Sequence, residues 1–225
     1  FSQAGTPGVT QESELAEEMF DKLPKDEFAR HIGLRSYAQW RRIRQWAKAS
    51  VVGNKLLKSG LLADAEERRE VLRTMAENYR YLGQHSNAVE VLKQARAIRD
   101  DQYTLYYHIQ ALYDSAAPAA QMEPLVKEYL KKHADREDRY ERIALLGLAW
   151  NREKNPERAL KLFRSLLAVS PATHSVSSYF VQLNGNEPAQ LKDSEAALKK
   201  SIVECEKNNP KQVWRLRYDL ALTLY

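Results

Sequence analysis

Signals that start and stop helices recur about every 15–20 residues along this 225-residue chain, and the apolar residues between them keep helical spacing. No stretch alternates apolar and polar residues with the period of a half-buried strand. Glycine points the same way. The chain has eight, two of them within the first eight residues, and sheets joined by tight turns ordinarily need more. Apolar residues make up 44% and charged residues 29%, which excludes disordered, collagen-like and disulfide-framework chains and predicts an all-α soluble protein. No apolar run approaches the ~20 residues that span a bilayer, so membrane insertion is not expected.

The punctuation places individual helices. Thr10 caps a first helix that Leu23-Pro24 ends, leaving residues 1–10 as a flexible lead. Ser36 followed by Gln39 is a capping-box pattern, which predicts a helix through Tyr37, Trp40, Ile43, Ala47 and Val51. Asp64 with Glu67 repeats that pattern, Gly83 suits a left-handed C-cap, and Asp101 opens another helix. Further starts are expected at Asp138 and at Asn155-Pro156, where proline at the first helical position sacrifices no intrahelical bond. Ser170-Pro171 stops that helix, Asp193 caps a later one, and a last helix runs from Lys211.

One spacing recurs within this punctuation. Ala76, Tyr79, Ala88 and Leu92 have the same offsets as Gly147, Trp150, Ala159 and Phe163, and Pro171 closes the second copy. The pattern resembles the tetratricopeptide repeat, a 34-residue helical hairpin reading Trp-x-x-Leu-Gly-x-x-Tyr, then Ala-x-x-x-Phe, then Pro. Leu72 and Ile143 stand where that family has tryptophan. The resemblance implies a right-handed α-solenoid of antiparallel helix pairs, with units at about 69–102, 103–139, 140–173 and 174–213 and a partial unit over 214–225. Residues 11–68 show no clear unit and are expected to form a helical segment packing on the first repeat. The last helix, with Leu220, Ala221 and Leu224 at first-helix spacing, suggests a natural chain that continues past Tyr225.

Chemistry has little support. The five histidines are scattered, and no metal-binding, nucleophile-elbow, phosphate-loop or dinucleotide motif occurs. Cys205 stands alone, so no intramolecular disulfide forms. Neither catalysis nor a cofactor nor a metal is expected. A lone thiol favours a cytoplasmic chain, while a signal peptide removed before Phe1 would make it periplasmic or exported.

By the resemblance, the chain is a non-catalytic scaffold or adaptor whose first-helix residues line a groove for a protein or peptide segment. Those residues are Glu70, Arg73, Glu77 and Arg80, then Tyr107 and Asp114, then Asn151. Some family members grip a terminal carboxylate with Lys, Asn and Arg; Glu77, Thr104 and His108 stand at the corresponding positions, so that clamp is absent. Charge supplies a rival reading. The formal total is only +5, yet residues 11–28 carry seven acids and two lysines, and residues 29–60 carry eight bases and no acid. Tyr37, Arg41, Arg44, Lys48 and Lys55 share one helical face there, which would suit phosphate and a stacked base of a nucleic acid. The bland alternative is pairing with the acidic first helix. Self-association of solenoid ends is a third expectation.

Overall fold

In the computed structural model, residues 7–133, 139–169, 174–185, 188–208 and 210–224 are described. Among them all regular structure is helical. The chain divides into two compact units, Phe1–Ser115 and Ala116–Tyr225. The first holds α1 (Pro7–Lys22), α2 (Glu27–Arg42), α3 (Trp46–Lys58), α4 (Ala65–Tyr81), α5 (His85–Ile98) and α6 (Gln102–Asp114). The second holds α7 (Ala119–Lys132), α8 (Arg139–Arg152), α9 (Pro156–Val169), α10 (His174–Asn184), α11 (Pro188–Asn208), a short 3-10 turn (Pro210–Gln212) and α12 (Val213–Leu224).

The acidic caps behave as their chemistry demands. The Asp64 carboxylate accepts from the Glu67 amide at 2.7 Å, and that of Asp101 accepts from Thr104 at 2.8 Å. Asp101 also takes 2.5 Å from Arg69 of α4, whose side chain is almost fully buried, so one carboxylate both starts α6 and ties it to α4. Three expected boundaries are corrected. The first helix begins at Pro7 rather than at Thr10, with proline in the first turn where it does no harm. Ser36 lies inside α2, fully buried, because Asp26 caps that helix ten residues earlier through the Ala29 amide. Asp193 lies inside α11, where it accepts from Asn184 at 3.0 Å and from Arg164 at 2.5 Å. The starts and stops expected at Asp138 and Ser170-Pro171, and residues 1–6 of the lead, lie outside the described residues.

Three helix pairs turn in the same way. After Trp40, Tyr79 and Trp150 the chain passes through a left-handed residue, Arg44 (φ 59°), Gly83 (φ 70°) and Lys154 (φ 60°). The next amide, of Gln45, Gln84 and Asn155, reaches back to the carbonyl of the aromatic at 2.9, 2.8 and 3.0 Å. These are Schellman caps, and each reverses the chain into the following helix. Nine residues after each aromatic comes a fully buried alanine, Ala49, Ala88 or Ala159. The segment over 11–68 therefore does contain a hairpin of this kind, α2–α3, which its residue types had concealed.

Sixteen residues separate two facing positions in each of these helix pairs, and their sizes compensate. Gly147 faces Phe163: a Cβ on the glycine would lie 2.9 Å from the ring. Ala76 and Leu92 occupy the equivalent places in α4–α5, both in the same buried cluster. In α2–α3 the order is reversed, with Tyr37 on the first helix and Gly53 on the second, where a Cβ would come 3.0 Å from the tyrosine ring and 2.8 Å from Met75. Backbone approach requires that one partner be small; it does not require which.

Contacts between α2 and α4 recur at one sequence separation. Arg30 meets Glu67 at 2.5 Å, the Tyr37 hydroxyl meets that of Thr74 at 2.9 Å, and Arg41 donates to Asn78 at 3.1 Å, each pair 37 residues apart. A constant difference over eleven residues means that these two helices run parallel, in register, as successive first helices of an array do. The core of this unit includes Phe20, Trp40, Leu56, Leu72, Met75 and Leu92, all at most 1% exposed. In the second unit Leu198, Ile202, Cys205, Val213 and Leu216 form a separate buried cluster between α11 and α12.

Candidate partner-binding face

Glu70, Arg73, Glu77 and Arg80 recur at three- and four-residue steps, so they share one face of α4. Beside them stand Arg41 from α2 and Tyr103, Tyr107 and Asp114 from α6. Arg73 makes the most contacts. It donates 2.7 and 2.5 Å bonds to the two Glu70 oxygens and 3.3 Å to Glu77, and its guanidinium lies 4.5 Å from the centre of the Tyr103 ring. Glu77 also accepts from Arg41 at 2.5 Å and from the Tyr103 hydroxyl at 2.6 Å. The bonds from Arg73 hold the Glu70 carboxyl below its usual range despite partial burial. Burial and the carboxylate of Glu77 push the Tyr103 hydroxyl up, so it stays a donor at every pH of interest.

Further along the same face, Arg80 lies over the Tyr107 ring at 5.1 Å, with its Nε 3.8 Å from Asp114. His85 approaches the same Asp114 oxygen at 4.0 Å. Tyr107 is held in turn by Tyr103 at 4.4 Å and Tyr106 at 5.1 Å. Glu77, Arg80, Tyr81 and Tyr107 line a cleft of about 300 Å³. Its Tyr81 wall is 68% exposed and stacks on Trp46 at 4.5 Å and 14°.

Six of the seven groove residues read from the sequence, Glu70, Arg73, Glu77, Arg80, Tyr107 and Asp114, thus meet in the first unit. Asn151 belongs to α8 of the second, where its carbonyl accepts from Lys154. Sequence reasoning left out Tyr103, Tyr81, Trp46 and His85. Tyr103 was within reach, because it precedes Tyr107 by one helical turn. Trp46 and Tyr81 come together across 35 residues, a pairing that no local pattern signals.

The basic face meets a different fate. Tyr37, expected to stack on a base, is 5% exposed, and burial raises its hydroxyl pKa to about 12. Arg41 is bonded to α4. Lys48 reaches Glu14 at 3.1 Å and sits over the Trp40 ring, while Lys55 bonds Glu17 at 3.2 Å and Asp21 at 2.7 Å. Arg35 pairs with Glu12. The acids of α1 therefore hold Arg35, Lys48 and Lys55, and of the five residues only Arg44, in its turn, is exposed with no such partner among the described residues. No group of three or more His, Cys, Asp or Glu among the described residues is placed to hold a metal ion. No helix among them is long and apolar enough to cross a membrane.

No protein-family model matches the sequence, and no curated protein matches it. Solved structures do match. MamA from MSR-1 is 14% identical over 85% of this chain and 98% of its own, with a TM-score of 0.52. A MamA double mutant from RS-1 is 13% identical over 92% and 99%, with a TM-score of 0.53. The C-terminal part of a TPR repeat-containing protein from Cytophaga hutchinsonii is 12% identical over 91% and 77%, with a TM-score of 0.54. At such identities the likeness concerns the fold, which is the all-α tetratricopeptide-repeat solenoid of antiparallel helix pairs.

Proposed function

We propose that this chain is a non-catalytic interaction scaffold that holds a protein or peptide segment on the face built by α2, α4 and α6. What supports the reading is the state of that face before any partner arrives. Glu70, Arg73, Glu77 and Tyr103 fix one another through hydrogen bonds, and the tyrosine rings pack on one another, tilted for Tyr103–Tyr107 and edge-on for Tyr106–Tyr107. Side chains already ordered lose little further entropy on binding, which is what a scaffold surface needs. Asn151 would serve as a contact of the second unit. The repeat units at about 69–102, 103–139, 140–173 and 174–213, with a partial one over 214–225, belong to the same proposal. The turn shared by α2–α3, α4–α5 and α8–α9 supports adding one more over 27–58.

The test is affinity capture with the full chain, then titration of the captured partner against Arg80→Glu and Tyr107→Ala. Both variants should weaken binding at least tenfold with an unchanged helical circular dichroism spectrum. A partner bound equally well by both would remove this face from the reading. Arg73→Glu is a poorer probe, because it would leave Glu70 and Glu77 without their shared cation and disturb the fold itself.

Self-association is supported by one observation. Trp214, Tyr218 and Leu222 recur every four residues along α12 and are 62%, 56% and 61% exposed. Light scattering over a concentration series decides it: a mass fixed at one chain, or an assembly unaffected by Trp214→Glu, removes this second reading.

A further inference from the structure

The hydrogen-bond inventory of the α2–α4–α6 face leaves one cation unused. Arg41 donates to Asn78 and Glu77, and Arg73 donates three times to Glu70 and Glu77. Arg80 donates to nothing among the described residues, and its Nε is buried without a partner. Asp114, at 3.8 Å, is near enough to hold the guanidinium electrostatically and too far to fill its fork. The carboxylates differ. Glu70 receives two bonds from Arg73, Glu77 receives one each from Arg41, Arg73 and Tyr103, and Asp114 accepts from Gln110 at 2.8 Å. What the cleft still offers is therefore a planar guanidinium, placed over Tyr107 at 5.1 Å and lying beside the Tyr81–Trp46 stack.

Resting on the scaffold reading above, we propose that this cleft recognises an acidic side chain of the partner segment, an aspartate or glutamate whose carboxylate pairs with Arg80, followed or preceded by an aromatic residue that packs on the Tyr81–Trp46 wall. The geometry of an arginine fork matches a carboxylate in two parallel bonds. Charge selects the carboxylate over a phosphate. Glu77 and Asp114 lie beside Arg80, and the other arginines of this face, Arg41 and Arg73, are bonded to Glu77 and Glu70, so a doubly charged group would meet more repulsion than attraction. The wall supplies the second half of the recognition. Tyr81 is wide open, and its ring is braced from behind by the Trp46 indole. A volume of about 300 Å³ takes one or two side chains and no folded domain, so the occupant is an extended or helical segment presenting a short motif.

The test is selection of random peptides displayed within a phage coat protein, so that none carries a free terminal carboxylate, on the full chain and on Arg80→Gln. Enriched peptides should carry Asp or Glu within two positions of Phe, Tyr or Trp, and the enrichment should vanish on Arg80→Gln. The leading peptide, synthesised with acetyl and amide ends, should lose tenfold or more in affinity for Arg80→Gln, and as much when its acid is replaced by the amide. The two losses should not add, because each removes the same pair. Arg80→Lys, which keeps the charge and loses the fork, should fall between wild type and Arg80→Gln. Peptides enriched without an acid, peptides bound equally by Arg80→Gln, or a tighter complex with the phosphoserine form overturn the inference and leave the scaffold reading in place. Failure to enrich any peptide overturns both.

Discussion

Gly147→Ala would press a methyl group from α8 against the Phe163 ring of α9. The new Cβ would sit 2.9 Å from both Cε2 and Cζ of Phe163, a ring with no exposure at all. Two effects oppose. Alanine in a helix interior is favoured over glycine by about 1 kcal/mol. Overpacking a filled core costs about 1–3 kcal/mol. The net is a destabilisation of about 0–2 kcal/mol. Phe163→Leu alone leaves space beside Gly147 and should cost roughly 1–2 kcal/mol, less than the ~3–5 kcal/mol of truncating a buried aromatic to alanine. Together the two changes recreate the Ala76–Leu92 pair of α4–α5, where the same spacing already packs well. The double variant should therefore be more stable than the sum of the singles by about 1–2 kcal/mol. Urea unfolding of the four proteins, followed by circular dichroism, measures this coupling. If the double equals the sum of the singles within ~0.5 kcal/mol, size compensation across sixteen residues is not what holds these hairpins together.

Phe20→Ala and Lys55→Ala separate the two ways in which α1 is held. The phenylalanine is fully buried against Gly33 and should cost about 3–5 kcal/mol, with early proteolysis of α1; the lysine, partly exposed despite its two acids, should cost about 1 kcal/mol or less. Equal losses in thermal melts would contradict a hydrophobic attachment. His108 sets a pH dependence. Burial, with the charges of Arg96 and Lys93, pushes its imidazole down to about 4, below the ~6.5 of an unfolded chain. The folded state thus binds this proton less readily, so the contribution is complete above pH ~6.5 and is lost as the pH falls towards 4. His108→Leu should flatten the urea midpoint between pH 7 and 4.5; an unchanged slope would assign the effect to other groups.

The order of helices was legible because helix signals are local: an aspartate at Asp64 or Asp101 caps whatever surrounds it. Ser36 shows where locality ends. Its capping-box spacing is genuine, but Asp26 had already started the helix, and the serine is drawn into the α1–α2 contact, where its hydroxyl points at the Ser13 carbonyl. The α2–α3 hairpin was hidden for a related reason. A repeat pattern written as small on the first helix and large on the second rejects Tyr37 with Gly53, although the structure sets the two against each other with the sizes exchanged. Charge is harder still. Arg41, Lys48 and Lys55 read as a free basic stripe because their acids lie 34–38 residues away, in α1 and α4. A surface's charge towards a partner is what remains after such internal pairs are subtracted. Subtraction removes most of the basic stripe and almost all of the groove's charge, and on the α4 face it leaves Arg80, held by Asp114 only at 3.8 Å, as the arginine whose hydrogen bonds are not already taken. That is why a residue equivalent to its neighbours by spacing becomes the one on which recognition of an acidic segment should turn.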